Sequence, residues 1–107
     1  MIWNVRYSDE FLQDLQRIKT YISAVLLEPL VAEKLVDRIM DAADSLDRMP
    51  ERYRLYEQGR HQGIRKMPVG SYVIFYQLEQ SKNLVKILRA IYGGRDIEAE
   101  MNAQFEL

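Results

Sequence analysis

The 107-residue sequence predicts an α+β fold of order β-α-α-β-β-β. The sheet is mainly antiparallel, a two-helix hairpin packs on one face, and a short C-terminal tail or helix follows. Three patterns carry this reading. Trp3, Val5 and Tyr7 alternate with Asn4 and Arg6, the period-2 signature of a strand with one apolar face. Two apolar stripes at helical spacing lie on either side of Pro29. Two runs of β-formers, Tyr72 to Leu78 and Leu84 to Tyr92, are joined by the polar loop Glu79 to Asn83, a length suited to a hairpin.

Taken in order, Ser8 is placed to cap the first helix, with Asp9 and Glu10 at the positive end of its dipole. Phe11, Leu15, Ile18, Ile22 and Val25 form its stripe, so the helix is expected from about Asp9 to Leu27. Proline is tolerated in the first turn of a helix and disrupts an interior, so Pro29 marks a new start. Ala32, Leu35, Ile39, Ala42 and Leu46 form the second stripe, which ends near Arg48 before Pro50. Arg52 to Gln62 is a polar connection rich in Arg and Tyr. Gly63 to Met67 reads as a short strand, and Val69-Gly70-Ser71 as a turn. Tyr72 to Leu78 is expected in the middle of the sheet, because an uninterrupted β-former run suits burial on both faces. Gly93-Gly94 ends the last strand, and Asp96 can cap a short acidic helix or precede a frayed tail.

Length and composition bound the function. One domain spanning 1–107 is expected. A chain that is 48% hydrophobic and 29% charged is neither disordered nor fibrous. The absence of Cys excludes disulfide scaffolds, thiol catalysis and Cys-based zinc sites, and a single His argues against a multi-His metal site. No metal or cofactor is expected. No apolar run approaches the ~20 residues that span a bilayer, and the start of the chain lacks a secretory pattern. A soluble cytoplasmic protein is the expectation.

The net charge of −1 conceals a basic block. Residues 49–95 carry nine basic and three acidic side chains, while both flanks are acidic. Such a block suits an anionic partner, although a solvated sheet face would look the same. Arg65 and Lys66 point to opposite faces of their strand, and Arg54, Arg60, His61 and Arg95 add charge at the rims. Tyr53, Tyr56, Tyr72, Tyr76 and Tyr92 interleave with them, a mixture suited to stacking unpaired bases. In the last strand strict alternation puts Val85, Ile87, Arg89 and Ile91 on one face. Arg89, set among aliphatic neighbours, must then be paired, with an acid on a helix or with a partner molecule. No nucleophile triad or phosphate loop is present, so any ribonuclease chemistry would rely on Arg, Lys and Tyr.

The ordered set Tyr7-Ser8, Glu10-Phe11, Asp14-Leu15, Ile18, Tyr21-Ile22, Leu46, Met49-Pro50, Gly63-Ile64-Arg65, Tyr72, Phe75-Tyr76, Ile87, Arg89 and Tyr92-Gly93-Gly94-Arg95-Asp96 resembles the RelE/ParE superfamily of toxins from type II toxin–antitoxin modules. The resemblance covers about Ile2 to Glu98. It implies a small cytoplasmic bacterial toxin and an antitoxin whose disordered segment folds across it. RelE-like members cleave messenger RNA on the ribosome without a metal; ParE-like members inhibit DNA gyrase. If the chain is a ribonuclease, Arg65, Arg89 and Arg95, on or just after strands that the meander brings together, are the catalytic candidates for stabilising charge at the scissile phosphate, and Tyr92 or Tyr72 is the candidate proton carrier. Arg54, Arg60, Arg65, Lys66, Tyr72 and Arg95 are the candidates for binding target or antitoxin. The RelE-like pattern has an arginine where Val73 stands and a late tyrosine, whereas no tyrosine follows Tyr92. The ParE-like side therefore fits better, with a ribosome-dependent ribonuclease and a degenerate toxin that only binds its antitoxin as the alternatives.

Overall fold

The computed structural model describes residues 2–94, 97 and 99–101, with side chains at all of these except 59–61. The elements are β1 (Asn4–Tyr7), α1 (Asp9–Thr20), α2 (Pro29–Asp44), β2 (Ile64–Val69), β3 (Tyr72–Glu79) and β4 (Leu84–Tyr92). The sheet order is β1-β4-β3-β2. The last three strands form an antiparallel meander, and β1 pairs parallel with β4, Val5 opposite Val85 and Tyr7 opposite Ile87. The α+β order expected from the sequence holds, including helical residues near the C-terminus at 97 and 99–101.

Local chemistry explains the boundaries. Ser8 caps α1 by accepting the Phe11 N–H at 3.0 Å, and its own hydroxyl donates to Leu88 O at 2.7 Å, tying the helix start to the sheet. The first helix ends as α-helix at Thr20 and continues as a π-helical turn, Tyr21–Val25, rather than as regular helix to Leu27. Leu27 then adopts φ 57°, a left-handed conformation that is strained for leucine. The extra residue in the π turn rotates the end of the stripe outward. Ile22 stays buried, and Val25, expected in the core, is exposed. Helix α2 starts at Pro29 and tightens into a 3₁₀ turn at Ser45–Asp47. Strand β2 runs two residues beyond the expected Met67, to Val69, because it pairs fully with β3 up to Val69 opposite Tyr72.

The sheet is apolar on both faces. Between the sheet and the helix hairpin lie Phe11, Leu15, Ile39, Leu46, Ile74 and Tyr76, among others, with Leu35 and Val5 partly buried beside them. On the opposite face Tyr56, Ile64, Phe75, Leu88, Ile91 and Met101 form a second cluster. Fully burying each large aliphatic contributes about 1.5–3 kcal/mol. The second cluster is closed by Tyr56 from the connection and Met101 from the C-terminal segment.

One irregularity matters for function. Phe75 pairs with Arg89 but Tyr76 pairs with Ile87, so Leu88 is an extra residue in β4. A bulge of one residue reverses the facing of everything beyond it. Val85, Ile87 and Ala90 therefore face the helices, while Leu88 and Ile91 join the second cluster. The expected face Val85, Ile87, Arg89 and Ile91 is corrected accordingly.

Candidate functional site

Arg89, released from strict alternation by the bulge, meets an acid on α1. Asp14 accepts Arg89 Nε at 2.7 Å and Nη2 at 2.9 Å, a bidentate pair, and also the Ala90 N–H at 2.9 Å. Asp14 is 5% and Arg89 8% exposed. Glu100 Oε2 lies 3.3 Å from Arg89 Nη2, so the same guanidinium holds the C-terminal segment. The hydrogen bonds to Asp14 raise the Arg89 pKa above its ordinary value, against the opposing effect of burial. Arg89 thus joins α1, the bulged strand and the C-terminal segment. The sequence held a signal for its partner: Asp14 sits among Phe11, Leu15 and Ile18 on the apolar stripe of the first helix, where a carboxylate needs a buried cation.

Arg65 is also held internally. Its Nη1 donates to Tyr53 O at 2.7 Å and to Glu51 O at 3.2 Å, which pins the connection against β2. Opposite it on β3, Tyr76 is fully buried and donates to Pro50 O at 2.6 Å. Burial pushes the Tyr76 phenol up to about 12, with Arg65 and Arg52 pulling the other way. Arg52, which was not among the candidates expected from the sequence, donates to Arg48 O at 2.6 Å, to Met49 O at 3.1 Å and to Ser45 Oγ at 3.1 Å. Its guanidinium lies 5.0 Å from the Tyr53 ring centre, a cation–π contact. The alternation of Arg52, Tyr53 and Arg54 was the available signal.

The candidate residues divide between two concavities. Arg54, Arg65 and Lys66, with Arg52, Tyr53, Pro68 and one carboxylate, Glu51, line an open, mainly basic hollow of about 710 Å³ beside β2. Tyr72, Arg89 and Tyr92 line a separate groove of about 610 Å³ between the end of α1 and β4, with Arg17, Tyr21 and Leu26 on its other wall. Tyr72 and Tyr92 meet edge to face, ring centres 5.6 Å apart. The structure therefore does not bring Arg65 together with Arg89 and Tyr92. Arg95 lies outside the described residues, as does the side chain of Arg60. Chemically, the hollow offers an anion the side chains of Arg54 and Lys66, which line it beside the internally bonded Arg65. The groove offers an aromatic and aliphatic surface with a charged floor.

Among the described residues no three metal-ligating side chains converge, and no helix is long and apolar enough to cross a membrane. Residues 5–97 match the sequence profile described as ParE toxin of type II toxin–antitoxin system, parDE. No curated protein matches in a sequence search. Among solved structures, a chain from the chromosomal ParDE toxin–antitoxin system of Pseudomonas aeruginosa superposes with TM-score 0.71 at 17% identity, covering 85% of this chain and 96% of that one. A chain of the RelBE2 toxin–antitoxin complex of Mycobacterium tuberculosis gives TM-score 0.59 at 21% identity, covering 86% and 99%. The archaeal RelE–RelB complex of Pyrococcus horikoshii gives 0.54 at 17% identity, covering 89% and 99%.

Proposed function

The chain belongs to the ParE toxin family of type II toxin–antitoxin systems, and from that premise we propose that it arrests growth by binding its target rather than by cutting RNA. DNA gyrase is the target this reading favours, the cytoplasm the place of action, and a cognate antitoxin the neutralising partner, as in the ParDE and RelBE assemblies to which the fold is similar. One observation carries the choice of binding over cleavage. Two of the three arginines that a ribonuclease would aim at a scissile phosphate are engaged within the protein: Arg65 with two carbonyls of the connection, Arg89 with Asp14 and Glu100. Charge stabilisation in a transition state requires donors aimed at the reacting group, not at internal acceptors. Tyr72 and Tyr92, the two candidate proton carriers, line the groove while Arg65 lines the hollow.

The open Arg54 and Lys66 in the basic hollow favour the second reading, a metal-independent endoribonuclease acting on ribosome-bound messages. Two assays separate the readings. Purified protein is added to a gyrase supercoiling reaction, and messenger-RNA ends are mapped after brief expression, with Arg95→Ala as control. Lost supercoiling with intact messages is the expected result. New cuts within codons, absent in the control, overturn the binding reading; neither effect, in a chain that still binds an antitoxin, identifies a degenerate toxin.

A further inference from the structure

The four strands carry five cations and one carboxylate, whereas residues 9–47, which hold the helices, carry nine carboxylates and four cations. Two of the strand cations are bonded within the protein: Arg65 to carbonyls of the connection, Arg89 to Asp14 and Glu100. The side chains of the other three, Arg6, Lys66 and Lys86, make no hydrogen bond or ion pair among the described residues. All three share one face of the sheet. Val5, Tyr7, Val85 and Ile87 pack toward the helices, so alternation turns Arg6 and Lys86 the other way. Met67 and Val69 also face the helices and Ile64 joins the opposite cluster, which puts Lys66 on the same side as Arg6 and Lys86.

Arg6 and Lys86 are direct partners across the parallel strands β1 and β4, which lie about 4.8 Å apart. Like charges set directly opposite repel, so the pair weakens the sheet it sits on. The one carboxylate in the strands does not relieve it. Glu79 lies in the next row, opposite Leu84, and its Oε1 meets Lys82 at 3.8 Å. Gln77, which follows Lys86 in the row, is uncharged and donates to Gln62 O. Lys66 stands two strands from Lys86 and two residues along, roughly 12 Å away. An unrelieved cation pair of this kind attracts an anion from outside the protein.

We propose that Arg6 and Lys86, with Lys66, form a contact for the phosphate backbone of duplex DNA. The row gives a protein partner no apolar anchor. None of the exposed large hydrophobics among the described residues falls in it, and the one that lies in a strand, Tyr92, is at the far end of β4. For the same reason no exposed ring is there to stack an unpaired base, which favours a duplex over a single strand. Cations on a polar surface meet a backbone without regard to its sequence. With a net charge of −1, the chain attracts DNA through this layout and not through its overall charge. The contact does not depend on which target the toxin arrests.

The purified full chain is titrated into a short labelled DNA duplex, and anisotropy is read at several salt concentrations. Each phosphate met adds about −0.9 to the slope of log affinity against log salt, so three cations give about −2.7. Arg6→Gln combined with Lys86→Gln should reduce the magnitude of the slope by about 1.8, and Lys66→Gln by about 0.9. Lys19→Gln combined with Lys34→Gln, both exposed on the helices, should leave it unchanged. The urea midpoint of the Arg6→Gln, Lys86→Gln variant should hold or rise, because a repulsion is removed. A lowered midpoint assigns the pair a structural role and overturns the site. So does a slope indifferent to the pair, an equal loss in the helix variant, or no binding at low salt. Any of these results leaves the toxin reading intact if the gyrase reaction is still inhibited. Tighter binding of a single-stranded RNA of equal length overturns the choice of a duplex.

Discussion

Replacing Asp14 by alanine tests the junction on which the arrangement of α1, β4 and the C-terminal segment depends. The substitution removes acceptors from Arg89 Nε, Arg89 Nη2 and the Ala90 N–H. Arg89 is 8% exposed, so its charge cannot rehydrate without local opening. Removing one partner of a buried pair costs about 3–5 kcal/mol, and an orphaned buried N–H about 1–3 kcal/mol. These overlap, because one relaxation relieves both, and Glu100 at 3.3 Å retains part of the pairing. The expected loss is about 4 kcal/mol. With a urea dependence of about 2 kcal/mol per molar for a domain of this size, the unfolding midpoint should fall by about 2 M. The double variant Asp14→Leu with Arg89→Met should recover most of the loss, because an apolar pair of similar volume carries no desolvation cost. A loss below about 1 kcal/mol for Asp14→Ala, or a double variant no better than the single one, refutes the reasoning.

Tyr76 makes stability fall at high pH. Its folded-state pKa is raised to about 12 from 10.0, so its contribution is complete below pH 10 and is lost as pH rises from 10 to 12. Roughly 2–3 kcal/mol should disappear in that window. Urea titrations at several pH values would show it, and Tyr76→Phe should flatten the profile there. Ile39 is fully buried between hairpin and sheet, so Ile39→Ala should cost about 2–5 kcal/mol in the same assay. A Cβ at Gly94 would stand 2.5 Å from Tyr92 Cε2, an exposed ring that can swing away. Gly94→Ala should therefore change stability by less than about 1 kcal/mol yet separate Tyr92 from Tyr72, visible as shifted tyrosine ring resonances in NMR spectra.

How much of this protein was legible in its sequence differs by element. Local periodicity determined the strands, the helix stripes and the break at Pro29, because each depends on neighbours within a few residues. Separately from periodicity, the ordered residue motifs of the sequence carried the resemblance to the RelE/ParE superfamily, which the family match over residues 5–97 supports. Position in space was another matter. The bulge at Leu88 arises from how β4 meets β3, and no alternation pattern announces it. It overturned the expected face of β4. An acid on a helix was one of the two partners the sequence allowed for Arg89, but only the meeting of α1 with the bulged strand selected Asp14, 75 residues away. The π turn likewise moved Val25 from core to surface, because one extra residue in a turn changes the helical phase of the residues after it. The basic residues were visible as a charged block, yet tertiary packing sorted them into a hollow beside β2 and a groove beside α1. Charge can be counted along a chain, whereas the convergence of side chains depends on contacts between residues far apart in it.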